Sequence, residues 1–350
     1  MAKYIIPVFL LMLHFSSCVT TNYITIDVRE PAVVSFEPEI KNIVIVNNSA
    51  SQADEEIQAN GEKKNDLSVI STDSAKILFT SSLQQFMNEE KYFDKVDIYP
   101  YATNSGERND VKPLSARNVQ TICHERKADA LIALDLFLVT AELESVSTEY
   151  FSVYNVLKAK IGTMMRVYNI DGSQLSPPIA HVDSLFMEGF NDWSKLSNSI
   201  PEINKLVNDI SVKAADDITS VFIPSWKTQD RWFYSDNSKE QKNALTFVKN
   251  GKWQEAANIW GELFEKETNR NKKIRLASNI ALANESLDDV DNAVSWIDIA
   301  FDLLPDSSKS DLTAEIIRYK EILTRRANNN PKLYQQLGIE PPIEEEDIVE

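Results

Sequence analysis

The sequence predicts an α/β sandwich, a mixed sheet with flanking helices, followed by an all-α helical repeat domain. Three observations carry this reading. Ala130–Thr140 is a near-continuous apolar run, and Val153–Tyr168 alternates, with Leu157, Ala159, Ile161, Met165 and Val167 apolar against Lys158, Lys160 and Arg166. That pattern is a long β-hairpin with one strand buried on both faces and its partner half wet. The order strand, helix, strand, helix, three strands, helix is that of helices covering a mixed sheet. Finally, the frame Gly251–Ala256 returns at Asp288–Ala293, and Ala244 and Ala281 fall at equivalent positions 37 residues apart, the interval of a helical-pair repeat.

Taken from the start, residues 1–17 read as a targeting segment. Lys3 supplies a charge, Tyr4–Phe15 is apolar but too short to span a bilayer, and Ser16-Ser17-Cys18 follows. This resembles a bacterial lipoprotein signal, with Phe15 where leucine is usual. The resemblance implies cleavage before Cys18 and its acylation, and several acyl chains on one residue anchor stably. Val19–Asn22 has no acidic cluster resembling a surface-export signal, which favours the periplasmic face of the outer membrane. The alternative is an ordinary signal peptide with an incidental cysteine.

Residues 18–39 read as a tether with a strand pair, Tyr23–Val28 and Ala32–Phe36. The α/β domain is placed at residues 40–224. Ile40–Val46 is a buried strand, Asn48–Asp66 a polar loop, and Ala75, Leu78, Phe79, Ser82, Leu83 and Phe86 mark an amphipathic helix. Lys95–Tyr99 is a short strand, and Ser115 caps a helix bearing Val119, Ile122 and Cys123. After the hairpin, Asp171-Gly172 turns the chain into a strand within Gln174–Met187 that Pro177-Pro178 interrupts. Ser199–Glu202 is a capping box opening a helix with Ile203, Leu206, Val207, Ile210, Ala214 and Ile218 on one face, stopped by Pro224. Residues 225–238 form an aromatic junction, 239–327 the helical repeats, and 328–350 an acidic disordered tail.

Two resemblances follow. Ile43–Ser49, Leu83–Asn88 leading to Phe93–Val96, and Lys127–Ala133 resemble a periplasmic lipoprotein superfamily that includes curli-secretion lipoproteins, penicillin-binding-protein activators and the amino-terminal domain of TolB. The glycine usual before its alanine–aspartate pair is Lys127 here. With the repeat region, the layout also resembles an uncharacterised family of Bacteroidetes lipoproteins. The superfamily resemblance implies envelope assembly through protein contacts. Gly251–Ala256 with Trp260, and Asp288–Ala293 with Ile297, Ala300 and Pro305, resemble tetratricopeptide repeats, with Leu312–Arg325 as a capping helix.

The net charge of −17 over 350 residues repels nucleic acid and anionic lipid. Eight glycines include no phosphate-loop or dinucleotide fingerprint. No cofactor is implied. With Cys18 acylated only Cys123 remains, so no intramolecular disulfide is expected; with His124 and His181 far apart, neither is a metal site. Asp135 is the one charge inside the apolar strand. It is either a catalytic carboxylate or one half of a cross-strand ion pair with Lys158 or Lys160.

The expected function is non-catalytic: an outer-membrane-anchored adaptor binding envelope proteins. The alternative is an envelope hydrolase or glycan-acting enzyme using Asp135. The partner face is expected to be the repeat groove, with Gln241, Leu245, Val248 and Lys249 in the first repeat and Arg275, Ser278, Leu282 and Glu285 in the second. Lys249 and Arg275 would hold a carboxylate. Trp226, Trp232, Phe233 and Tyr234 either pack the two domains together or form an exposed anchor patch. Asp73-Ser74-Ala75 and Asp183-Ser184-Leu185 resemble an O-glycosylation acceptor motif of Bacteroidetes envelope proteins, which implies Ser74 and Ser184 as sites.

Overall fold

The computed structural model describes residues 19–50, 55–57, 68–70, 72–106, 111–147, 153–188, 200–305 and 309–340. Cys18 and Ser199 of the capping box lie outside them, as does most of the predicted loop 48–66. Two compact units are present. The first holds Pro31–Ser225 and the chain from Lys332; the second holds strand β1 and Trp226–Pro331.

In the first unit a five-stranded sheet runs in the order β5 (Lys95–Ile98), β2 (Asn42–Asn47), β6 (Ala130–Ser147), β7 (Val153–Asn169), β8 (Ile179–Glu188). β2 pairs parallel with β5 and β6, whereas β6–β7 and β7–β8 are antiparallel. A small antiparallel pair, β3 (Glu55–Ile57) and β4 (Ser68–Ile70), stands apart. One sheet face is covered by helices α1 (Thr72–Glu89) and α3 (Ile200–Phe222), which bury Phe79, Leu83, Met87, Ile210 and Ile218 on Ile43, Ile45, Ile132 and Ile161. The other face carries α2 (Ala116–Arg126), whose Val119, Ile122 and Cys123 close over Val44, Val46, Leu131, Ala133 and Tyr168. β2 is an interior strand, between β5 and β6, and its Ile43–Val46 are β-branched and buried on both faces.

Local chemistry sets the ends of these elements. Ser115 Oγ accepts from Asn118 N to cap α2. Lys127 closes the helix in the left-handed region, φ 54 and ψ 46. The next acidic residue, Asp129, accepts hydrogen bonds from Lys41 N, Asn42 N and Asn42 Nδ2. Burial would raise its pKa, but those donors outweigh it and hold the carboxyl below its ordinary value. The alanine–aspartate pair thus fastens the start of β2 to the start of β6.

The second unit contains the ribbon β1 (Thr20–Glu30) with β9 (Ser225–Ser235), and helices α4 (Lys239–Lys249), α5 (Trp253–Lys266), α6 (Arg270–Ser286), α7 (Val290–Asp302) and α8 (Asp311–Leu337). The pairs α4–α5 and α6–α7 repeat at the expected interval. Ala244 and Ala281, Ala256 and Ala293, Trp260 and Ile297 are equivalent and all fully buried. The turns match as well: Gly251 has φ +68 and Asp288 has φ 64.

Three expectations are corrected. Tyr23–Val28 does not pair with Ala32–Phe36; it pairs with β9, some two hundred residues away, a partner that no local pattern signals. Within residues 225–238, read as an aromatic junction, Ser225–Ser235 is strand β9, and its Trp232, Phe233 and Tyr234 enter the core of the helical unit. Residues 328–337 are not tail: α8 continues through Asn328–Asn330 and Pro331 to Leu337. Its Gln336, in the first unit, exchanges hydrogen bonds with the backbone of Ala32, which holds the helix end in place.

Candidate binding pocket

The site is built where β9 meets α4 and α6. Asn279, fully buried on α6, donates to Tyr234 O at 2.7 Å and accepts from Tyr234 N at 2.8 Å, replacing a strand partner for that residue. Three positions earlier, Arg231 lies against Glu285 of α6 with paired contacts of 2.8 and 2.7 Å. Tyr319 of α8 donates to the same carboxylate at 2.8 Å, and Arg326 pairs with it at 3.3 Å. Both members of the Arg231–Glu285 pair are almost wholly buried, so their desolvation is offset only because every carboxylate oxygen has a cationic or hydroxyl partner.

Fixed in this way, Tyr234 presents its ring to a cavity of about 180 Å³. Tyr234 Oη donates to Glu315 at 2.7 Å and accepts from Trp232 Nε1 at 3.2 Å. Burial first, and then Glu315, push the phenol far above its ordinary pKa. It is therefore a neutral, oriented platform. The guanidinium of Arg275 stacks over it, 5.7 Å from the ring centroid. Among the described residues no carboxylate pairs with Arg275. Gln241, nine-tenths buried, spends its Oε1 on Trp260 Nε1 at 3.1 Å, leaving its amide nitrogen to the cavity it lines. Val19, Leu263 and Leu276 supply apolar wall, and Lys272, tied at 3.9 Å to Glu267, stands at the rim with Asp236 and Glu240. A guanidinium fork with an amide donor beside apolar wall suits one carboxylate and an adjacent apolar group. The three rim carboxylates disfavour a polyanion.

Of the residues expected to bind a partner, the structure brings Gln241 and Arg275 together in this cavity. Lys249 is exposed in the last turn of α4 and Leu245 is half-buried against the helical core; neither lines the cavity. Val248, Ser278 and Leu282 are corrected: Val248 turns from α4 into the helical core, and Ser278 and Leu282 are buried because α6 is enclosed on nearly all sides by its neighbours. Glu285 is likewise internal. Trp232 and Phe233 are core side chains, while Trp226 is 61 % exposed. Val19 and Lys272 were missed, and Tyr234, grouped with the junction aromatics, was not placed with the repeat groove. The signal available was Lys272, one helical turn before Arg275; Val19 and Tyr234 come from distant parts of the chain. Ser74 is exposed in the first turn of α1, and Ser184 is half-buried within β8.

Asp135 is 1 % exposed and does not meet Lys158 or Lys160. The expected register placed the turn near Ser147. Instead Ser147 is itself paired, with Val153, and the register shifts between Leu134 and Leu136, making Asp135 a bulge. Its carboxylate accepts from Asn48 Nδ2 at 2.6 Å and pairs with Arg166. Burial raises its pKa, and Asn48 and Arg166 pull it back only in part. Cys123 is free and buried, and burial pushes its thiol up to about 11, which makes it unreactive.

His181, Asp183 and Asp217 bring one ligand atom each within 4.8 Å of one another. The Lys213 ammonium pairs with both carboxylates, and its hydrogen bonds to Asp183 and Asp217 raise its pKa. A side-chain cation therefore already stands between the two carboxylates of this cluster and offsets one of their two charges. Among the described residues no helix is long and apolar enough to cross a membrane.

Residues 40–234 match a domain of unknown function, DUF8603, and residues 242–325 match a second, DUF6340. No curated protein matches the chain. Similar solved structures include a minor lipoprotein from Acinetobacter baumannii, 5 % identical, covering 53 % of this chain and 95 % of that one, TM-score 0.26. Rare lipoprotein B from Shewanella oneidensis is 12 % identical over 52 % of this chain and 93 % of its own, TM-score 0.26. Such scores are too low to transfer a function.

Proposed function

The chain belongs to the DUF8603 family, a domain of unknown function, and on the geometry of its cavity we propose that it works by binding rather than by catalysis. The reading is of an envelope lipoprotein anchored through acylated Cys18 in the outer membrane and facing the periplasm. Its tetratricopeptide-like helices hold a carboxylate of a partner protein. One observation carries it: Arg275, oriented by Tyr234 and without a carboxylate partner among the described residues, shares an apolar-walled cavity with the Gln241 amide. A guanidinium held ready but unpaired is what a site for an external carboxylate requires. The hydrolase alternative is less favoured, because Asp135 is sealed and its oxygens are spent on Asn48 and Arg166.

The test compares what co-purifies, under mild cross-linking, with the tagged protein and with Arg275→Glu from the native envelope. The expected outcome is loss of a specific partner with an unchanged melting temperature. Recovery of the same proteins at the same yield from the variant refutes the site.

A further inference from the structure

The ribbon has an outward face that the helices do not cover. On β1 it carries Tyr23, Thr25, Asp27 and Arg29; on β9 it carries Trp226, Thr228 and Asp230. The two rows share one side, because Thr228 donates to Asp27 at 2.7 Å and Arg29 stacks over Trp226 at 5.6 Å. Residues of the opposite side turn inward: Val28 is buried and Ile24 packs on the helical core. Tyr23, 76 % exposed, and Trp226, 61 % exposed, stand toward opposite ends of this face and are the most exposed large apolar side chains described in the second unit.

We propose that this ribbon face lies along a zwitterionic lipid surface, with Tyr23 and Trp226 as its interfacial side chains. The inference rests on the reading of Cys18 as the acylated residue. Only Val19 separates Cys18 from β1, and Val19 is itself part of the cavity wall. There is therefore no slack between the anchor and the helical unit. Five residues of extended chain reach at most about 18 Å, so Tyr23 stays within that distance of the acyl chains. Tyrosine and tryptophan place an apolar ring in the interface and a polar edge in water. Two aspartates against one arginine make the face net negative, which selects a zwitterionic surface over an anionic one.

The test uses the acylated full chain on phosphatidylcholine vesicles with and without brominated acyl chains. Wild type and Trp226→Phe are compared by tryptophan emission, and acylated protein and Cys18→Ala by flotation. Bromolipid quenching of a component present in wild type and lost in Trp226→Phe is expected, with no gain when phosphatidylglycerol is added. Equal fractional quenching in the two proteins, or none in either while both float, overturns the ribbon proposal and leaves the anchor standing. Flotation of Cys18→Ala as complete as wild type overturns the anchor, and the proposal with it. Stronger quenching on phosphatidylglycerol overturns the zwitterionic assignment.

Discussion

Lys127 shows how a single residue departs from the pattern around it without losing its place. It holds φ 54 at the C-cap of α2, where Ala128 N donates to Cys123 O at 2.9 Å. A side chain in that region clashes with its own carbonyl, at roughly 1–2 kcal/mol, which glycine avoids. Lys127→Gly is therefore expected to stabilise the protein by about 1 kcal/mol, the gain being trimmed by the greater freedom of glycine when unfolded. A higher midpoint of urea unfolding at an unchanged slope would show it, and an unchanged or lower midpoint would count against it. The cap was not legible, because a lysine stands where a left-handed C-cap usually has glycine. Asp135 was legible only as an anomaly. Its partner depends on a bulge and on where a turn falls, and hydrophobic alternation encodes neither.

Among the elements, those with a strong local period were readable. The β6–β7 hairpin, α1, α2, α3 and the two helical pairs all stand where apolar spacing puts them. The ones that were not readable are defined by distant partners. β1 alternates only weakly and acquires its identity from β9. α8 passes through three asparagines and a proline that read as a helix stop, because Gln336 and Leu333 bury beyond them. The helical core depends in the same way on Glu285, which joins β9, α6 and α8 through Arg231, Tyr319 and Arg326. Removing the charge from a buried pair and leaving its partners in place costs about 3–5 kcal/mol. Glu285→Gln should accordingly lower the stability of the helical unit by that order, seen as an early unfolding step in calorimetry. A variant melting with wild type would mean that the network contributes specificity but little stability.

Across the whole molecule, the order of elements pointed to an α/β unit with a mixed sheet followed by a helical region, and that much the structure repeats. The pocket was half legible. The repeat interval of 37 selected Gln241 and Arg275, but it could not supply Tyr234, which arrives on β9, or Val19, which precedes β1 far away in sequence. It also mistook Ser278 and Leu282 for surface, because α6 is buried on nearly every side, and Val248, which α4 turns into the core; a period alone does not say how many faces a helix hides. The central claim is that the cavity under Arg275 is where a partner protein is held. A photo-cross-linking side chain at Leu263, on the cavity wall, tests it in the native envelope. The account predicts a light-dependent adduct with a protein that disappears when Arg275→Glu is added. No adduct, or one of equal yield in the Arg275→Glu background, would contradict it.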